Sequence, residues 1–96
     1  MVIVHALLEI KEGTTAKFLE AANKCVNETR KEEGCRFYTL YANSEDPLKF
    51  GIFEEWDSMA CLDKHKTLPH YLELGANLKD ILAKPPAVKV FEASEV

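Results

Sequence analysis

The chain has no run that approaches the roughly 18 consecutive apolar residues of a membrane-spanning helix, which excludes a helical span. Twelve basic against sixteen acidic residues give a net charge of −4, and basic pairs such as Arg30-Lys31 form no stripe able to neutralise several phosphates. Nucleic acid is therefore not an expected partner. Only four glycines are present, with no phosphate-binding loop, dinucleotide fingerprint, nucleophile elbow or zincin motif. A nucleotide cofactor has no cradle, so an enzyme built on this chain is expected to act without a cofactor. Three cysteines, Cys25, Cys35 and Cys61, are an odd number at unrelated spacings and do not resemble a secreted disulfide framework. They read as reduced thiols that pack as small apolar groups. Met1-Val2-Ile3-Val4 runs straight into strand-like sequence without a basic leader and cleavage site, so the expected location is cytoplasmic.

What is present is the composition of an ordinary globular domain, 47% hydrophobic and 29% charged over 96 residues. A chain of this size buries only roughly 60 to 65% of the surface its unfolded form exposes. Residues 1–96 read as a single domain that needs either a tight core or a partner to complete it.

Val2 to Lys11 alternates, with Val2, Val4, Ala6, Leu8 and Ile10 on one face and Ile3, His5, Leu7, Glu9 and Lys11 on the other, which predicts a strand. Glu12-Gly13 is a turn, and the hydroxyl of Thr14 or Thr15 is placed to cap a helix whose apolar positions Phe18, Ala22, Cys25 and Thr29 repeat up to a stop at Gly34. Cys35 to Asn43 and Leu48 to Trp56 flank dense turn chemistry at Asn43-Ser44-Glu45-Asp46-Pro47, the pattern of an antiparallel hairpin. A short helix starts at Asp57 or Ser58 and ends near His65. A second starts at Pro69, carries Tyr71, Leu74, Leu78, Ile81 and Leu82 on one side, and is ended by Pro85-Pro86. Ala87 to Glu92 is a last strand.

The order is βαββαβ with the second helix broken in two: an α+β, ferredoxin-like split βαβ with a four-stranded antiparallel sheet and helices on one face. Ile3, Leu7, Tyr38, Leu40, Phe53 and Phe91 are then available to the uncovered face, and an apolar open face predicts a homodimer with sheet packed on sheet.

The polar residues crowd into Phe53 to Tyr71, FEEWDSMACLDKHKTLPHY. Glu54 and Trp56 are two apart on one strand and project to the same side as Phe50 and Ile52. Trp56 reads either as a core anchor or as a pocket wall, and its indole N–H needs a partner. Glu54 is either a strand-end carboxylate reaching solvent or a buried one with a raised pKa suited to proton transfer. His65 either caps helix-end carbonyls or faces a pocket, and His70 sits in the first turn of the next helix. Cys61, His65 and His70 match none of the common zinc-ligand spacings, so no metal is expected. His5, among Ile3 and Leu7, reads as an interface histidine. Tyr38, Tyr41 and Tyr71 supply aromatic walls, and Lys64 and Lys66 could attract an anionic substrate.

The element order, the EGTTAKFLEAA entry to the first helix, the EEGCRFYTLY strand, the Glu54-x-Trp56 pair and the spacing of His65 and His70 together resemble the antibiotic biosynthesis monooxygenase domain over nearly the whole chain. The resemblance implies a dimeric α/β barrel with a pocket between sheet and helices, and a cofactor-independent monooxygenase that converts a small phenol or quinol to a quinone. Carried onto this chain, it implies His65, Glu54 and His70 as catalytic residues, with Trp56, Tyr71, Tyr38 and Lys66 around a small-molecule substrate. HKTLPHY, His65 to Tyr71, is especially similar to the branch that isomerises a phosphorylated autoinducer by proton shuttling, which stands as the alternative activity. A non-catalytic binding and dimerisation module is the third. The heme-degrading branch fits less, because its first-strand asparagine falls at Ala6. The readings diverge on whether Glu54, His65 and His70 converge on one cavity.

Overall fold

A computed structural model describes residues 1–96. It contains β1 (Val2–Glu9), α1 (Thr15–Thr29), β2 (Cys35–Ala42), β3 (Lys49–Trp56), α2 (Met59–His65), α3 (Pro69–Leu78) and β4 (Ala87–Glu92). The strands form one antiparallel sheet in the order β2-β3-β1-β4, the α+β, ferredoxin-like arrangement expected from the element order.

Period-two patterning decides which side of the sheet is dry. Val2, Val4, Ala6 and Leu8 of β1 lie beside Phe50, Ile52, Glu54 and Trp56 of β3, and all eight are buried. Against them α1 lays Phe18, Ala22, Cys25, Val26 and Thr29, positions three or four apart and therefore on one helix face. Phe18 meets Phe50 at 4.6 Å between ring centroids. Each fully buried side chain of this size stabilises the fold by about 1.5–3 kcal/mol.

Several boundaries and faces differ from expectation. Thr14 precedes α1, but its hydroxyl donates to the Lys11 carbonyl at 2.6 Å and accepts from no helix amide, because the Glu12-Gly13 turn brings that carbonyl closer. Helix α1 ends at Thr29, and Gly34, at φ +90°, serves the turn into β2. Helix α3 stops at Leu78, well before Pro85-Pro86. The backbone beyond it is taken by the end of β1: the Lys11 amide donates to Ile81 O at 2.8 Å and the Ala83 amide to Glu9 O at 2.9 Å. Ile81 and Leu82 consequently leave the helix, and Ile10 bridges Leu82.

Tyr38 and Leu40 belong to the covered face, not the open one. Antiparallel pairing sets Tyr38 opposite Glu54 and Leu40 opposite Ile52, and cross-strand partners share a face. Phe37 and Tyr41 take their place on the open side.

Candidate active site

Helix α3 packs on α1 and stands off the sheet. Under it, above β1, β3 and β4, lies a cavity of about 740 Å³. The same gap explains why Val88 and Val90 of β4, paired with Ala6 and Val4 and so on the helix side, remain exposed. Leu8, Ile52, Leu62, Leu74 and Val88 make most of its wall apolar.

Glu54 and His65 enter this wall from different elements. Glu54 is carried by β3, and its Oε1 accepts from Trp56 Nε1 at 3.0 Å, which supplies the indole's partner. Burial pushes its carboxyl up from 4.5 to about 7, against the opposing pull of the Trp56 N–H and the Lys66 charge. His65 ends α2, a helix whose start is fixed by the Ser58 hydroxyl accepting from the Cys61 amide at 3.3 Å. Its side chain turns inward and is buried between rings, 4.7 Å from Trp56 and 5.0 Å from Tyr71. It therefore caps no carbonyl. Burial lowers its pKa, and the Glu32 carboxylate only partly offsets this.

Glu32, in the turn after α1, is the residue that the sequence reading missed. Its Oε2 lies 2.6 Å from His65 Nδ1 and 2.7 Å from His70 Nε2. A carboxylate oxygen only accepts, so both imidazoles donate here. The network assigns His65 the Nδ1–H tautomer and leaves Nε2 as the basic nitrogen of a ring that lines the cavity. Nothing periodic marks Glu32 in the sequence, since Glu33 beside it is exposed and both lie in a turn.

Glu54, His65, Tyr38, Tyr71 and Lys66 line the cavity. Trp56 is fully buried behind it, as a core anchor holding Glu54, and His70 stands behind His65 on Glu32. The Tyr38 pKa is raised by burial, which keeps its hydroxyl protonated. His5 lies away from the cavity on the open face, stacked on Phe53 at 4.9 Å. Cys61 bonds Ser58 and is not part of the histidine cluster. Glu32, His65 and His70 offer donor atoms within 4.8 Å of one another. However, both nitrogens approach a single oxygen at hydrogen-bond separations, shorter than the roughly 3 Å or more between ligands that share an ion at about 2.1 Å. The cluster is a carboxylate bridging two imidazoles.

A family model described as antibiotic biosynthesis monooxygenase matches residues 1–76. The chain is 42% identical over 65 residues to a candidate monooxygenase of Mycobacterium tuberculosis, a match covering 68% of this chain and 63% of that protein. It is 28% identical over 94 residues to an uncharacterised protein of Synechocystis, covering 98% of this chain and 64% of that one. The chain thus spans a little under two thirds of the length of these two curated relatives. The solved structure of the M. tuberculosis protein superposes with a TM-score of 0.92 at 29% identity, covering 99% of this chain and 96% of that chain.

Proposed function

Because the chain belongs to the antibiotic biosynthesis monooxygenase family, we propose that it is a cofactor-independent monooxygenase that oxidises a small hydroxylated aromatic compound with dioxygen. The observation that carries this reading is the Glu54–His65 pair on one apolar wall, two titratable groups whose surroundings push their pKa values towards each other. Lowering the His65 pKa keeps Nε2 free to accept a proton near neutrality, and raising that of Glu54 keeps a proton available to give.

In the proposed reaction His65 takes the substrate's hydroxyl proton, and Glu32 stabilises the resulting imidazolium through Nδ1–H. The electron-rich phenolate reduces dioxygen, and the two combine to place a peroxide on the ring carbon. Glu54 protonates the peroxide. Loss of the ring C–H proton with cleavage of the O–O bond releases water and leaves the quinone, so one oxygen atom enters the product and the other leaves as water. The dry, apolar wall favours this over the small phosphorylated ketone of the isomerase reading, which has little apolar surface to bury there. A second copy of the chain on the open sheet face is part of the proposal, with the cavity remaining within each subunit.

The test is oxygen consumption with a panel of quinols and naphthols. We expect enzyme-dependent uptake that falls at least tenfold in His65→Ala with the fold retained by circular dichroism. No uptake with any member of the panel, or unchanged turnover in His65→Ala, would sink the assignment of chemistry or of base respectively.

A further inference from the structure

The charged residues around the cavity are mostly of one sign. Glu54 is the only acidic residue in its lining, whereas Lys66, Lys79 and Lys84 all contribute. They come from three separate segments: the residue after α2, the residue after α3, and the approach to β4. All three are exposed, and none is in an ion pair. Elsewhere Lys24 pairs with Glu73, Lys31 with Glu28, Arg36 with Asp57, and Lys49 lies near Glu9 and Asp46, while Lys11, Lys17, Arg30, Lys64 and Lys89 make no ion pair. What sets Lys66, Lys79 and Lys84 apart is that the fold brings them from separate segments to one largely apolar lining, in a chain of net charge −4. The Lys66 charge also reaches the Glu54 carboxyl, holding its pKa below what burial alone would give.

Apolar walls beneath a rim of like charge focus the field onto the opening. We propose that the ligand of this cavity is an amphipathic anion: an aromatic body buried against Leu8, Ile52, Leu74 and Val88, with a carboxylate at the mouth between Lys66, Lys79 and Lys84. This rests on the reading of the cavity as the site for a hydroxylated aromatic, and narrows it. The hydroxyl end points inward to His65 and the anionic end outward, so the lysines set which way round the substrate lies. One exposed lysine contributes little by itself. Three converging on one carboxylate, on an apolar floor, are expected to favour the anion by about tenfold.

The probes are 6-hydroxy-2-naphthoate and its neutral isostere 6-hydroxy-2-naphthamide, which share ring and hydroxyl and differ only in the charge at the far end. Binding to the full chain is titrated by calorimetry at low and high salt, with 2-naphthol as the unsubstituted reference. The naphthoate is expected to bind about ten times more tightly than the amide at low salt. That preference should shrink towards unity at about 0.5 M salt, where charges are screened beyond roughly 4 Å, and disappear in the triple variant Lys66→Gln, Lys79→Gln, Lys84→Gln. Equal binding of anion and amide by the unaltered protein, or a preference that survives in the triple variant, would overturn the proposal while leaving the aromatic site standing. Binding of none of the three compounds would overturn both.

Discussion

Glu54 carries an identifiable cost of building this site. Its carboxyl is held on an apolar strand face with a folded pKa of about 7 against an ordinary 4.5. A carboxyl whose pKa is higher in the folded state binds its proton more tightly there. The folded state is therefore penalised as pH rises through 4.5, and the penalty is complete above about 7. Glu54→Gln keeps an oxygen for the Trp56 N–H and removes the ionisation. Denaturant unfolding should find this variant more stable than the parent at pH 8, by on the order of 2–3 kcal/mol, with the difference vanishing near pH 4.5. A difference that is constant with pH would mean that ionisation is not its cause. At this scale the sequence is informative about Glu54, because a carboxylate two residues from a tryptophan on an alternating strand stands out from the period. It is uninformative about Glu32, whose partners His65 and His70 lie 33 and 38 residues away and which shares its turn with an exposed glutamate.

The elements were legible where local chemistry decides them and misjudged where tertiary contacts do. Ser58 starts α2 and β4 spans Ala87–Glu92 as the pattern requires, whereas the end of α3 is set by hydrogen bonds to β1 that no local signal announces. Gly34 illustrates the difference. Read locally it is a helix stop; in the fold it is where the α1–β2 turn passes under α2. A Cβ built at Gly34 would lie 2.5 Å from Cys61 Sγ and 3.0 Å from its Cβ, in addition to the strain of φ +90°. Gly13, at φ +83°, has nothing within 4 Å. Gly13→Ala should therefore cost only the backbone strain, about 1 kcal/mol. Gly34→Ala should cost distinctly more, roughly 2–4 kcal/mol, by adding an overlap with α2. Thermal or denaturant unfolding of the two variants checks this, and equal losses would show that α2 does not press on the turn. Because α2 ends in His65, Gly34→Ala is also expected to disturb the site, and Gly13→Ala is not.

For the whole molecule the decisive feature is the bare side of the sheet. Leu7, Phe37, Tyr41, Phe53 and Phe91 stand on it with 38 to 49% of their surface exposed, contributed by all four strands. Tyr41 and Phe53 already meet edge to face at 5.5 Å, so part of the patch is packed within the single chain. A chain this small gains much by covering it, and a self-complementary sheet-on-sheet contact of about 800 Å² per subunit is the usual size of a stable interface. Light scattering after size exclusion should give a mass near twice 10.9 kDa. The double variant Leu7→Lys, Phe53→Lys should run as a monomer. A monomeric parent at about 100 µM would remove the interface. Strand β4 links this prediction to the cavity. It pairs only with β1, none of its residues is buried in the single chain, and it places Phe91 on the bare face and Val88 and Val90 on the cavity side. A second subunit pressing on Phe91 would hold from behind the strand that forms the cavity's outer wall. Loss of the dimer should therefore weaken ligand binding even though Leu7 and Phe53 touch no part of the cavity, and calorimetry of the double variant with the naphthol probes measures that coupling directly.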